Sequence, residues 1–366
     1  MKVLFINSVC GIGSTGRICV ELAEQLTAEG HECKIAYGRD GFVPEKYRKY
    51  AVRIGSDMTV KAHALRSRIL DDHGWGSAAA TREFLKWADE FQPDLLWLHN
   101  IHGYYINYRM LFAWIKEHPG LQVKWTLHDC WAFTGHCAYF SMAKCERWKD
   151  HCRNCPQKRS YPARMLRDNS CHNFEAKRES FTGVPHMTLI TPSYWLADLV
   201  RQSFLGEYPV EVCYNKIDKS VFKSTPGTFR AEHGLEDKKI VLGVASVWDE
   251  RKGLNEFCRL AEMLDERFMI VLVGLNEKQM QKLPGNILGI ARTNSTKELA
   301  EIYSAADIFV NLSLEETFGM TTVEALYCGT QPVVYKGTAC EEIVNKFGGI
   351  AVDANVESVY AVIKDI

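Results

Sequence analysis

No apolar run in the chain approaches the ~18 residues needed to cross a bilayer. The amino-terminal run, Val3 to Ile6, is too short for the core of a secretory signal. Positive charge is not in excess either: 44 Lys and Arg stand against 45 Asp and Glu, a net charge of −1, whereas a dedicated nucleic-acid binder is strongly basic. Sequence repeats and low-complexity tracts are also missing. These absences point to a cytoplasmic globular protein without a nucleic-acid partner. In such a compartment the 13 cysteines are not expected to pair as disulfides.

At 366 residues the chain exceeds what one hydrophobic core usually serves, so two domains are expected. Short apolar runs at Val3–Ser8, Cys33–Tyr37, Asp94–His99, Val123–His128, Thr188–Thr191 and Val210–Tyr214 read as strands, with helical patterns between several of them. The alternation restarts with strands at Ile240–Ala245, Phe268–Val273, Ile287–Ile290, Ile308–Leu312 and Pro332–Tyr335. Pro226, Gly227 and nearby charges interrupt it between Asn215 and Gly234. Residues 1–214 and 215–366 are the expected domains. Nearly continuous apolar strands separated by helices imply parallel sheets covered on both faces. The expected class is therefore α/β, with two Rossmann-like, doubly wound domains facing a cleft.

Gly11-Ile12-Gly13-Ser14-Thr15-Gly16 follows the first strand and opens the first helix, as a G-x-G-x-x-G phosphate loop does. Gly13 and Ser14 would present backbone N–H groups to an anion. An NAD enzyme also needs an acidic residue ending the second strand. That strand ends Tyr37-Gly38-Arg39, with Asp40 beyond it, so an NADP-dependent oxidoreductase through Arg39 stays open, as does a plain tight turn.

The segment Glu315 to Leu326 decides the class. Glu316 falls on a loop after a strand and Glu324 in the following helix, which Thr321 or Thr322 can cap. The amides of Phe318, Gly319, Met320 and Thr321 lie between the two carboxylates, at a helix N-terminus suited to a diphosphate. A nucleotide-sugar matches this order, with hydroxyls at both ends and phosphates between. The pattern resembles the E-x7-E motif of the family 4 retaining glycosyltransferases of the GT-B fold. The resemblance implies that Glu316 binds the donor hexose and Glu324 the ribose. Lys252 in Arg251-Lys252-Gly253 matches the family's diphosphate lysine. Val247 stands where the family carries an arginine, so Arg251 is the candidate replacement. Ser193, Arg292 and Thr293 resemble further donor-side positions, and Asn215-Lys216-Ile217-Asp218 the interdomain N-G-[VI]-D. The family commonly closes with long helices returning to the first domain. This sequence has one short helical pattern before Ile366, which implies looser coupling.

His128 in Leu127-His128-Asp129 resembles the family histidine that reaches the donor sugar, and Asn100 and His102 fall where an acceptor is expected. His128, Glu316 and Lys252 are thus the candidate catalytic residues. With no Asp-x-Asp metal motif, transfer is expected to need no cofactor. The resemblance implies transfer of a hexose from a UDP-sugar, or a GDP-sugar, to a glycan or lipid-linked glycan in bacterial surface-polysaccharide assembly. A nucleotide-sugar-binding protein without catalysis is the other alternative.

Cys137, Cys145, Cys152 and Cys155 lie in an irregular insertion, about residues 130–172, the last two as C-x2-C. They suit a structural Zn²⁺ site or buried free thiols, with Cys130, His136 and His151 as competing ligands. Residues 144–167 carry eight basic and two acidic side chains, interleaved with Trp148, Tyr161 and Met165. That stretch suits either a solvated face or peripheral contact with an anionic membrane surface.

Overall fold

Val, Ile and Leu runs without polar alternation can be buried only between two helical layers, and the computed structural model, which describes residues 1–366, places them so. The chain divides into two compact units, Met1–Cys213 and Tyr214–Ile366. The first opens with β1 (Lys2–Ile6), α1 (Gly13–Ala28), β2 (Glu32–Tyr37), β3 (Ala51–Arg53), α2 (Asp57–Leu70) and α3 (Ala78–Phe91). It continues with β4 (Leu95–Leu98), α4 (Tyr108–Glu117), β5 (Gln122–Thr126), α5 (Ser170–Phe181), β6 (Met187–Thr191), α6 (Tyr194–Arg201) and β7 (Val210–Val212). The second unit starts with α7 (Phe229–His233), β8 (Lys239–Val244), α8 (Leu254–Met263), β9 (Phe268–Val273), α9 (Glu277–Met280) and β10 (Ile287–Ile290). Then come α10 (Thr296–Ala305), β11 (Ile308–Asn311), α11 (Met320–Tyr327), β12 (Gln331–Tyr335), α12 (Ala339–Phe347), β13 (Ile350–Val352) and α13 (Val356–Ile363). None of the helices is long and apolar enough to cross a membrane.

The two sheets are wound alike. The first runs β3-β2-β1-β4-β5-β6-β7 and the second β10-β9-β8-β11-β12-β13, with every neighbouring pair parallel. In each, the chain winds outward from its first strand, returns, and winds the other way. Winding reverses between β1 and β4, where Val3 pairs with Leu95, and between β8 and β11, where Ile308 pairs with Val241. Loops leaving the carboxyl ends of those pairs diverge and leave a crevice where ligands bind in doubly wound sheets. They are the loops that carry the glycine motif, Asn100, Lys252 and Glu316.

Packing follows the sequence pattern. Leu4, Ile6, Leu96, Leu98 and Trp125 are buried in the first unit, and Val241, Ile270, Ile308 and Val333 in the second. Helix α4 shows why a segment becomes helical: the Asn107 side chain accepts the Met110 N–H at 3.1 Å, and Leu111, Phe112 and Ile115 line one buried face.

Two features went unmarked in the sequence, and one expectation, the helix cap, needs correction. Strands β3 and β13 are three residues each and carry no period of their own; they form because β2 and β12 offer them an edge. Within 215–234, where the alternation breaks, α7 forms and ends at Gly234. The helix after Glu316 is capped by neither Thr321 nor Thr322: Gly319 is its N-cap residue.

Candidate active site

In the second unit the loop after β8 makes a single turn of 3-10 helix at Glu250–Lys252, nucleated by Asp249 Oδ1 accepting the Lys252 N–H at 3.0 Å. Gly253 then takes the left-handed conformation (φ +77°), and a Cβ there would meet Leu312 Cβ at 2.6 Å and the Leu312 carbonyl oxygen at 2.9 Å. The backbone therefore packs directly on the end of β11. Leu314 N–H donates to the Arg251 carbonyl at 3.0 Å, and Arg251 donates to the Glu315 carbonyl at 3.3 Å. This stitching delivers Lys252 Nζ into a direct ion pair with Glu316 Oε1, both side chains being less than a fifth exposed (18% and 16%). Gly253→Ala is expected to cost ~1–3 kcal/mol of local strain and to raise the donor KM by about tenfold or more. A KM left at the wild-type value would show that the turn does not set the lysine.

Gly319 makes a second close approach. With φ +86°, it would place a Cβ 2.4 Å from Cys340 Sγ. The chain thereby turns from the Glu316 loop straight into α11 with no side chain over the helix N-terminus. Thr322 Oγ1 is used elsewhere, accepting from Asn311 Nδ2 at 3.2 Å and touching Cys340 Sγ at 3.6 Å. Burial, and the Glu316 charge beside it, push the Cys340 thiol up to about 12. Glu324, in the second turn of α11, accepts the Tyr303 hydroxyl at 2.9 Å. Burial, reinforced by Glu324, raises Tyr303 well above its ordinary value, so that hydroxyl stays a donor.

Other donor-side candidates divide by exposure. The Phe318 ring is buried with Val323 and Ile343, so only its backbone can face a ligand. Met320, Thr321 and Thr293 are half-buried, and Arg292 is exposed past the end of β10. Ser193 is fully buried in the first unit, where its Oγ caps α6 by accepting the Leu196 N–H at 3.1 Å.

In the first unit, Gly13 and Ser14 lie exposed at the start of α1. Asn7, which the sequence did not single out, joins the two switch-point loops: it donates to the Val9 carbonyl and to Thr15 Oγ1, and accepts the Asn100 N–H at 3.2 Å. Gly38 and Arg39 N–H groups both bond the Ser8 carbonyl. Asp40 turns back to accept the Phe42 N–H at 3.1 Å, leaving no acidic residue at the end of β2 for a ribose.

His128 Nε2 lies 3.0 Å from His99 Nδ1, so one ring donates and the other accepts. Burial pulls His128 down to about 4 and His99 well below the ordinary range, and both rings are neutral at pH 7. His102 holds Tyr161 OH at 3.0 Å through Nδ1 and stands 2.9 Å from Asp129 Oδ2 through Nε2, a contact not aligned as a hydrogen bond. Burial raises the Asp129 carboxyl, but His102 and the Trp131 N–H outweigh it and hold it below its usual value. Tyr161, 59 residues beyond His102, was not foreseen as part of this cluster.

Residues 15–221 match Glycosyltransferase Family 4, and residues 227–366 match Glycosyl transferases group 1. The chain belongs to glycosyltransferase family 4. A colanic acid biosynthesis glycosyl transferase, WcaC, of Escherichia coli (strain K12) is 23% identical over 95% of this chain and 86% of its own length. The N,N'-diacetylbacillosaminyl-diphospho-undecaprenol alpha-1,3-N-acetylgalactosaminyltransferase of Campylobacter jejuni is 31% identical over 32% of each chain. Among solved structures, Anabaena Alr3699/HepE in complex with UDP-glucose superposes with a TM-score of 0.65 at 15% identity, covering 100% of this chain and 89% of that one. That likeness establishes the GT-B fold. Family membership removes the NADP-dependent oxidoreductase reading; the glycine loop of this transferase opens α1 without the acidic partner a dinucleotide enzyme needs.

The insertion of the transferase carries its own cluster. Between β5 and α5 the only regular pieces are 3-10 turns at Trp131–Phe133 and Arg147–Lys149. Cys137, Cys145, Cys152 and Cys155 nevertheless line one small cavity. The basic run is partly absorbed by the fold: Arg147 donates to the Arg153 and Asn154 carbonyls, and Arg164 to the Cys155 carbonyl at 2.7 Å. Lys158, Arg159 and Arg167 stay exposed.

Proposed function

We propose that this transferase moves a hexose, with retention, from a UDP-sugar to a glycan or lipid-linked glycan acceptor in surface-polysaccharide assembly. The observation that carries this reading is the Lys252–Glu316 pair lying beside the uncapped N-terminus of α11. Lysine and carboxylate neutralise each other there. A diphosphate arriving at the helix N-terminus would draw Lys252 to itself and free Glu316 to accept from sugar hydroxyls, while Glu324 serves the ribose. As the C1–O bond to the diphosphate breaks, its electron pair moves to a phosphate oxygen, stabilised by Lys252 and the α11 dipole. The acceptor oxygen bonds to C1 on the same face, and its proton passes to the departing phosphate. His128, neutral and fixed by His99, suits a hydrogen bond to a sugar hydroxyl. No step uses a bound metal, and added Mg²⁺ or Mn²⁺ is expected to leave the rate unchanged.

UDP is favoured over GDP by the fold shared with the UDP-glucose complex, and a lipid-linked acceptor by the Campylobacter relative. A thermal-shift panel over UDP-, GDP- and ADP-sugars and NADP(H) tests the donor. At 100 times Kd the right donor adds ~2.7 kcal/mol to stability. NMR of the product's anomeric proton then tests retention. Stabilisation by no nucleotide-sugar, or an inverted product, would overturn the reading, and donor binding without transfer or hydrolysis would favour the non-catalytic alternative.

One surface of the first unit fits peripheral contact with an anionic membrane. Met58, Leu65 and Ile69 stand exposed along α2, and Met165 and Leu166 are joined to its end by Met165 N–H bonding the Arg68 carbonyl at 2.7 Å. Lys61, Arg68, Lys158, Arg159 and Arg167 supply positive charge near these two segments. Leu65→Ser with Met165→Ser removes two large apolar side chains at ~1.5 kcal/mol each. Their joint effect on binding to phosphatidylglycerol vesicles is a loss of roughly a hundredfold. Equal sedimentation of wild type and variant would dismiss the surface.

A further inference from the structure

We propose that Cys137, Cys145, Cys152 and Cys155 hold one structural Zn²⁺ that fixes the insertion between β5 and α5. All thirteen cysteines of the chain are thiols, and these four, drawn from irregular backbone, converge on one cavity of about 10 Å³. That is room on the scale of a single small ion. Long segments without regular structure are uncommon inside compact domains, yet this one buries Ala138, Phe140 and Trp148. A metal cross-link supplies the order that secondary structure does not.

One donor at the cavity lacks the partner that a thiolate would give it. Trp148 Nε1–H belongs to a residue lining it, is sealed from solvent and donates to nothing. His136 donates Nδ1–H to Asp71 Oδ1 at 2.5 Å and so presents a lone pair at Nε2, which makes it the competing ligand to test against the four cysteines. A neutral thiol accepts weakly, whereas a metal-bound thiolate is a full acceptor for N–H groups. Charge points the same way. Lys177 is buried beside the insertion, donating to the Trp131 and Thr134 carbonyls at 2.6 and 2.9 Å. Arg147 and Arg153 line the cavity as well. Zinc with four thiolates carries two net negative charges, which these cations balance.

As the side chains stand, no three Cys, His, Asp or Glu groups lie at distances that share an ion. Coordination therefore requires the thiols to turn inward, to about 2.3 Å from one centre. Zinc takes the four sulfurs as thiolates, so affinity falls as the pH is lowered. Held this way, the insertion keeps Tyr161 against His102.

The test is metal analysis of the full chain purified without chelator. About one zinc per chain is expected, released by a mercurial thiol reagent. Cys152→Ser with Cys155→Ser should carry less than a tenth of it and melt at lower temperature. His136→Gln should keep the zinc; its loss there, with retention in Cys145→Ser, would overturn the four-cysteine set. Should the double variant not fold, cobalt exchanged into the wild-type protein gives the second reading, thiolate charge-transfer bands with tetrahedral d–d absorption. Metal-free native protein with four titratable thiols, disulfides at these positions, or iron with labile sulfide would each overturn the assignment.

Discussion

Lys252→Ala is expected to lower kcat by roughly 10²–10³-fold, the usual loss when one charge-stabilising donor is removed from a transition state. The diphosphate gains charge as it leaves, and Lys252 is the cation that the Gly253 turn and the Asp249 cap set against the Glu316 loop. Arg251 is a poor substitute, because its guanidinium is drawn to the Glu315 carbonyl. Glu316→Ala should cost a similar factor in kcat/KM by removing the acceptor for hexose hydroxyls. Because each residue is the other's partner, the double variant should be hardly slower than the worse single one. Melting temperature separates the two effects: each single variant strands a largely buried charge and should melt below wild type, whereas the double variant should recover much of that loss while staying inactive. Lys252→Ala with wild-type transfer would remove this site from the reaction.

The doubly wound order was legible because buried parallel strands lack polar alternation, and Phe268–Val273 and Ile287–Ile290 end where their apolar runs end. Glu316 and Lys252 were legible through local spacing; their contact was not, since 64 residues separate them and the close packing of Gly253 on Leu312 is tertiary. The capping expectation at Thr321 or Thr322 failed for a tertiary reason. A positive-φ glycine could start the helix earlier, and Asn311 with Cys340 engaged the Thr322 hydroxyl. The partnership of His136 with Asp71 and of His102 with Tyr161 joins segments far apart in sequence, and no short pattern announces such pairs. Ser193 shows the converse: a residue marked by its motif position is fully buried and caps a helix.

Acidification from pH 7 to pH 4 is expected to remove most of the stability of the first unit. Burial, then the Arg66 charge, lowers His63 from 6.5 to about 4, and burial does the same to His128. His73 and His99 are also held well below their ordinary value, chiefly by burial. In the unfolded chain these rings take up protons as pH falls through 6.5, while the folded rings stay neutral until about 4. Stability is therefore fully present above the unfolded value and drains away across that window. For His63 and His128 the loss is ~3 kcal/mol each, against a typical total of ~5–15 kcal/mol. Geometry gives the cause. His63 Nε2 accepts two backbone N–H groups, from Gly74 at 3.2 Å and Gly76 at 3.1 Å, while Nδ1 meets Ser77 Oγ at 2.9 Å. A proton on Nε2 would turn both acceptances into repulsions. In the His99–His128 pair, protonating the accepting nitrogen would set two N–H groups face to face across 3.0 Å. Melting temperature measured from pH 7 to pH 4 should fall steadily and reach unfolding at room temperature near the lower end. A flat profile down to pH 4.5 would mean that these rings are protonated, or solvated, in the native protein.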